Sequence, residues 1–202
     1  PLLGSHRAAR DELAAILGTV YPAAARIAGA RVLVDSSKDP VYGLVLAGAP
    51  NLRVHVVHLV RDSRAVAWSW QRKRLRPEIG STAAYMPVRS AVRTSLDWDL
   101  RNGLAHVLGR RAESYTRLTY ETLVRDPDAA VAMVARRVDP GVSLPANPAN
   151  RGNHTVAGNP MRFGTDEISV TPDMEWRDSL DARDRRVVSA LTWPLRRTYG
   201  YE

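Results

Sequence analysis

Arg61 and Ser69 are the residues whose types and spacing suit anion chemistry most directly. A guanidinium offers forked donors that match the oxygens of phosphate or sulfate, and a hydroxyl adds one more. Ser69 lies seven positions beyond Asp62, so in a helix it falls on almost the same face as the helix start, where one oxyanion would touch both groups. Ala65 on that face lets an anion lie close against the early amides and the positive end of the helix dipole. The plainer alternative is that Arg61 pairs with a nearby carboxylate and Ser69 is an incidental helix serine. Overall charge agrees with an anionic partner: the net charge is +8, and only Lys38 and Lys73 among the 29 cations are lysines. Base composition of the gene and a solvated surface would produce the same bias. The absence of cysteine excludes a thiolate nucleophile, a disulfide framework and sulfur-ligated metals, and fits a reducing compartment. A metal would need histidine and carboxylate ligands, and no ligand spacing for one occurs.

The elements that must position these residues alternate between strand and helix. Leu13, Ile16, Leu17 and Val20 recur at helical spacing, so residues 7–28 form one or two helices, with Pro22 a break or kink and Gly29 the end. Residues 31–34 read as a short strand closed by a polar loop from Asp35 to Pro40, and a small helix follows over residues 41–47. The β-branched run 54–60 reads as a central strand covered on both faces. His55 and His58 lie three apart in it, on opposite faces, and need no role beyond finding partners. Asp62 is placed to cap a helix from Ser63 to about Leu75, and a longer helix carries Val88, Val92, Leu96, Leu100 and Leu104. Residues 114–120 read as a third strand. Asp126-Pro127 then opens a helix buried along Val131, Val134, Ala135 and Val138. Residues 139–165 are rich in proline, glycine and asparagine and read as a long loop. Asp181 caps a last helix with inner residues Val187, Val188, Leu191 and Leu195. The pattern predicts one α/β domain over residues 1–202, three-layered, with a mainly parallel central sheet flanked by helices. Ligands in such folds lie beyond the carboxyl ends of the strands, which singles out Asp35 to Lys38, Arg61 to Arg64, and Tyr120-Glu121. No apolar run approaches the roughly 18 residues that would span a bilayer.

Four stretches, in one order along the chain, carry a family resemblance. The run from Val57 through Arg61-Asp62-Ser63-Arg64 to Ser69 resembles the 3′-phosphate-binding strand and helix of sulfotransferases that use 3′-phosphoadenosine 5′-phosphosulfate (PAPS). Val34-Asp35-Ser36-Ser37-Lys38-Asp39-Pro40, the run Leu118 to Pro127 and the run His154 to Phe163 are similar to the same family, particularly its bacterial branches. The resemblance covers most of residues 31–201. It implies a P-loop-like α/β fold, PAPS as co-substrate without a metal, and sulfuryl transfer to a hydroxyl or amine acceptor in the cytoplasm. It assigns Arg61 and Ser69 to the 3′-phosphate with support from Arg64, and Tyr120 to the adenosine. Gly158, Asn159 and Arg162 belong by resemblance to a late loop over the nucleotide phosphates, and Lys38 resembles the strand-end lysine near the transferred group.

Sulfuryl transfer, like phosphoryl transfer, needs in-line positioning and stabilisation of spread negative charge, which guanidinium and amide donors supply. It also needs a base for the acceptor proton, and Asp35 and His154 are the candidates. Asp35 serves equally well as a cap or buttress of its loop, and His154 as an ordering residue of its own. The chain departs from the family in having no glycine-rich loop to cradle the 5′-phosphosulfate. The simplest expectation is truncation upstream of Pro1, which would leave the 3′-phosphate half of the site in a fragment expected to be inactive alone. Two other readings are a basic nucleic-acid-binding module, motivated by Arg72-Lys73-Arg74 and Arg76, and a P-loop kinase or NTPase fragment. The first lacks a recognised binding motif, and the second has Arg61 where a metal-holding carboxylate is expected. Nucleic acid and membrane spans are therefore not among the expected partners, and the acceptor is not legible.

Overall fold

A computed structural model describes residues 2–73, 85–142 and 172–202 of the chain. Helix α1 (Leu2–Ile27) continues through Pro22 and ends in a Schellman motif, with Gly29 at φ +61° and Ala30 N–H donating to the Ala25 carbonyl at 2.8 Å. Residues 32–39 have no regular structure. The strand that the sequence predicts over 31–34 does not form, because neither strand of the sheet pairs with it, and Val34 is 90% exposed. Helix α2 (Pro40–Leu46) begins at Asp39, whose carboxylate accepts from Val41 N–H at 2.9 Å.

Strands β1 (His55–Val60) and β2 (Ser114–Thr119) are neighbours in a two-stranded parallel sheet, which with the surrounding helices makes the architecture α/β. The sequence predicts β1 as central and covered on both faces. Instead it has one covered face: His58 and Val60 are buried, whereas Val57 and Leu59 are 46% and 48% exposed. The strand thus alternates in burial with the period-2 geometry of its side chains. Helix α3 (Ser63–Gln71) follows, then α4 (Ala91–Gly109), α5 (Tyr120–Arg125), α6 (Pro127–Val138), α7 (Trp176–Ser179), α8 (Ala182–Leu191) and α9 (Trp193–Thr198). Asp62, Asp126 and Asp181 cap α3, α6 and α8 as their spacing predicts. The last predicted helix is broken at Thr192, where Pro194 in the first turn of α9 has no N–H to continue the ladder.

The residues group into two compact units. The first comprises Pro1–His58 and Leu100–Arg117, the second Leu59–Asp99 and Leu118–Glu202. In the first, α1 packs against α2, with Gly18 so close to residue 50 that an added Cβ would meet the Pro50 carbonyl at 2.5 Å. His58 is held between the Tyr115 hydroxyl at 2.6 Å and Asn102 Oδ1 at 2.8 Å, with the His106 ring edge-on at 5.6 Å. In the second unit the core is Val60, Trp98 and Tyr199, joined by Val66, Leu195 and Tyr201, with a smaller cluster of Ala67, Ala91 and Val188. Ser63 and Thr192 are buried and share a 2.8 Å hydroxyl hydrogen bond, which ties the first turn of α3 to the break between α8 and α9.

Candidate anion-binding site

Arg61 directly follows the end of β1, and Asp62 turns the chain into α3 by accepting from Arg64 N–H at 2.8 Å. The backbone of Arg61 is fixed from the core side, since its carbonyl accepts from Trp98 Nε1 at 3.1 Å. Its guanidinium lies over the ring of Tyr120, 4.5 Å from the centroid. One terminal nitrogen donates to Asp173 Oδ2 at 2.9 Å and lies 3.3 Å from the Asp173 carbonyl. Arg72, at the end of α3, approaches the same Asp173 oxygen at 3.5 Å and pairs with Glu175 at 2.5 Å. Burial works against ionisation of Asp173, but the hydrogen bond and charge of Arg61, with the charge of Arg72, outweigh it and hold its carboxyl below the ordinary value. The Nε atoms of Arg61 and Arg72 are both buried and have no hydrogen-bond partner among the described residues. Two guanidinium groups thus converge on one anionic oxygen, an arrangement that binds oxyanions.

Of the sequence-predicted residues, Arg61, Arg64, Ser69 and Tyr120 all lie in the second unit. Arg61 and Tyr120 are in contact. Arg64 is engaged by the helix cap itself, with Nε and a terminal nitrogen 3.0 and 2.6 Å from the Asp62 oxygens, and stacks over Trp176 at 5.0 Å. Ser69 is half-buried two turns into α3. Tyr120 opens α5, whose start is capped by Thr119 Oγ1 accepting from Thr122 N–H at 3.1 Å. Next to it, Glu121 Oε2 accepts from the Tyr201 hydroxyl at 2.6 Å, and burial followed by this bond pushes the Tyr201 phenol well above its ordinary pKa.

Asp35 and Lys38 belong to the first unit. The Asp35 carboxylate accepts from the Tyr21 hydroxyl and from Ser37 N–H at 2.7 Å, and the Tyr42 hydroxyl lies 3.0 Å from that of Tyr21. Burial raises its pKa, but those hydrogen bonds lower it further and hold it below the ordinary value. This is the buttress geometry. Lys38 is exposed in a left-handed backbone conformation at φ 63°, which is sparsely populated for a residue with a Cβ. His154, Gly158, Asn159 and Arg162 lie outside the described residues. Among the described residues no group of three or more histidine and carboxylate side chains could hold a metal.

Sequence reasoning missed Arg72 and Asp173 as site residues. Arg72 has a local signal, since it lies three residues beyond Ser69, but it stands in a basic run that reads as a solvated helix end. Asp173 has none, being separated from Arg61 by 112 positions. Compared with protein-family models, curated proteins and solved structures, the chain matches none of them.

Proposed function

We propose that this chain is a P-loop-like sulfotransferase domain whose Arg61 pocket holds the 3′-phosphate of PAPS, for sulfuryl transfer to a hydroxyl or amine acceptor. The observation that carries the reading is the state of Arg61: at a strand end, stacked on Tyr120 and already gripping an anionic oxygen at 2.9 Å. Ser69 adds a hydroxyl from α3, and Tyr120 offers an aromatic surface beside the guanidinium for the adenosine. In the reaction the acceptor oxygen or nitrogen bonds to sulfur as the bridge from sulfur to the 5′-phosphate oxygen breaks. Adenosine 3′,5′-bisphosphate leaves, and a base takes the acceptor proton. The two candidate bases are Asp35 and His154, and its hydrogen bonds hold Asp35 below the ordinary carboxylate value, which makes it a weaker base than a free carboxylate.

The nucleic-acid alternative loses ground because Arg72 of its basic run is paired with Asp173 and Glu175 rather than open to solvent. Calorimetry separates the two. The mononucleotide reading expects binding of adenosine 3′,5′-bisphosphate at least tenfold tighter than 5′-AMP, and a loss of about 1.5 kcal/mol or more in Arg61→Ala, the scale of one charge-assisted bond. Equal affinity for the two nucleotides, or affinity for polynucleotide alone that falls steeply with salt, would refute it.

A further inference from the structure

We propose that Arg61 and Arg72 form a two-guanidinium clamp for a phosphate dianion, and that the Asp173 carboxylate is a built-in anion seated in that clamp, which the ligand displaces. The inference deepens the preceding reading, on which it rests for the identity of the nucleotide, while the clamp itself rests on the side-chain geometry. Both arginines reach one oxygen of Asp173, at 2.9 and 3.5 Å. Each is flanked by an aromatic ring: Arg61 by Tyr120 at 4.5 Å and Arg72 by Trp68 at 5.7 Å. The rings fix the guanidinium planes before any ligand arrives.

A carboxylate does not satisfy this clamp. The Nε–H groups of both arginines are buried with no acceptor among the described residues, although a guanidinium normally uses its side edge for forked pairing. A phosphate monoester offers three oxygens around a tetrahedral centre, one more than a carboxylate, and so supplies an acceptor for a donor now unpaired. Its charge of about −1.5 to −2 at neutral pH also exceeds that of the carboxylate it replaces. Exchange of Asp173 for a dianion therefore gains attraction, whereas exchange for a monoanionic sulfate ester or carboxylate gains little. The built-in anion acts as a selectivity filter: together with Glu175, which pairs with Arg72 at 2.5 Å, it keeps two nearby cations from repelling each other in the empty protein, and it yields only to a ligand that binds better than itself. Arg72 becomes a binding residue, and Asp173 a competitor.

The test is calorimetric titration of the full chain, its Asp173→Asn variant and its Arg72→Gln variant with adenosine 3′,5′-bisphosphate and, separately, with inorganic phosphate. Asp173→Asn is expected to bind both at least fivefold more tightly, and Arg72→Gln at least tenfold more weakly. Tightening for inorganic phosphate without tightening for the nucleotide upholds the clamp and overturns the nucleotide reading. Unchanged or weakened phosphate binding in Asp173→Asn overturns the clamp, as does unchanged binding in Arg72→Gln. Should either variant fail to fold, carboxyl carbon NMR of Asp173 in the unmodified protein decides. Saturating inorganic phosphate is expected to raise the Asp173 pKa toward that of a free carboxylate, and an unmoved pKa overturns the proposal.

Discussion

At the scale of single residues, burial and partners decide what each titratable group does. His58 lies in the first unit with both ring nitrogens occupied: Nε2–H donates to Asn102 Oδ1, which leaves Nδ1 to accept from the Tyr115 hydroxyl. That pairing requires the neutral ring. Burial lowers the His58 pKa first, the charges of His106 and Arg117 lower it further, and the Asn102 hydrogen bond opposes them without prevailing. His106 is lowered too, by burial and by Arg117 and Arg110. A histidine whose folded pKa lies below its unfolded value takes up protons more readily when unfolded, so stability rises with pH. The contribution is complete above the unfolded value of about 6.5 and is lost as pH falls from there toward the depressed folded pKa. Urea melts are therefore expected to show a lower midpoint at pH 5.5 than at pH 7.5, and His58→Gln is expected to flatten that dependence. An equal midpoint at both pH values would show that His58 does not titrate in this window. The role was readable in part, because a histidine inside a β-branched run usually finds a buried partner, whereas the identity of the partner, Asn102 on another element, was not.

At the scale of elements, boundaries were readable where local chemistry sets them, and buried faces were not. Asp62, Asp126 and Asp181 each accept from the backbone N–H of the second or third residue of the helix that follows, so a carboxylate before a helical pattern was enough to place those starts, and Asp39 caps α2 in the same way without having been singled out by the sequence. Faces followed packing instead. In α1 the side chains of Leu13, Ile16 and Val20 are 40–52% exposed, while Ala14 is buried and Gly18 meets residue 50. In α4 Val92 and Leu96 are 49% and 57% exposed, while Ala91, Thr94, Ser95 and Trp98 are buried. In α6 Val131 is 51% exposed and Ala130 takes the inner position. Small residues allow helices to approach closely, and a count of apolar side chains cannot see that preference. The difference can be tested at two glycines. Gly18→Ala improves helix propensity by about 1 kcal/mol, yet its Cβ would lie 2.5 Å from a backbone carbonyl, which does not yield as a side-chain end would. It is expected to destabilise the protein by about 1–2 kcal/mol. Gly103→Ala, in α4 with nothing within 4 Å of the added Cβ, is expected to stabilise by about 0.5–1 kcal/mol. Denaturant midpoints of opposite sign would confirm that close approach, and not propensity, governs α1. A stabilised Gly18→Ala would contradict it.

At the scale of the whole molecule, an excess of eight positive charges draws anions toward the protein, but it does not say where they bind. The site is defined by a few groups in the second unit: Arg61 from the end of β1, Arg72 from the end of α3, Tyr120 from the start of α5 and Asp173 ahead of α7. Arg61 and Tyr120 were legible because both follow strand ends, where polar groups collect in α/β folds. Asp173 was not, because the pairing joins distant parts of the chain and leaves no periodic trace. The ladder between β1 and β2 was likewise readable only as two separate strands. The central claim is that Arg61 grips the phosphate on the 3′ position of the nucleotide, and phosphorus NMR of adenosine 3′,5′-bisphosphate reads that contact directly. The account predicts that adding the protein shifts and broadens the 3′-phosphate resonance, and that Arg61→Ala restores it toward its free position. A 3′-phosphate signal that does not move, or one that moves equally with the Arg61→Ala variant, would contradict it.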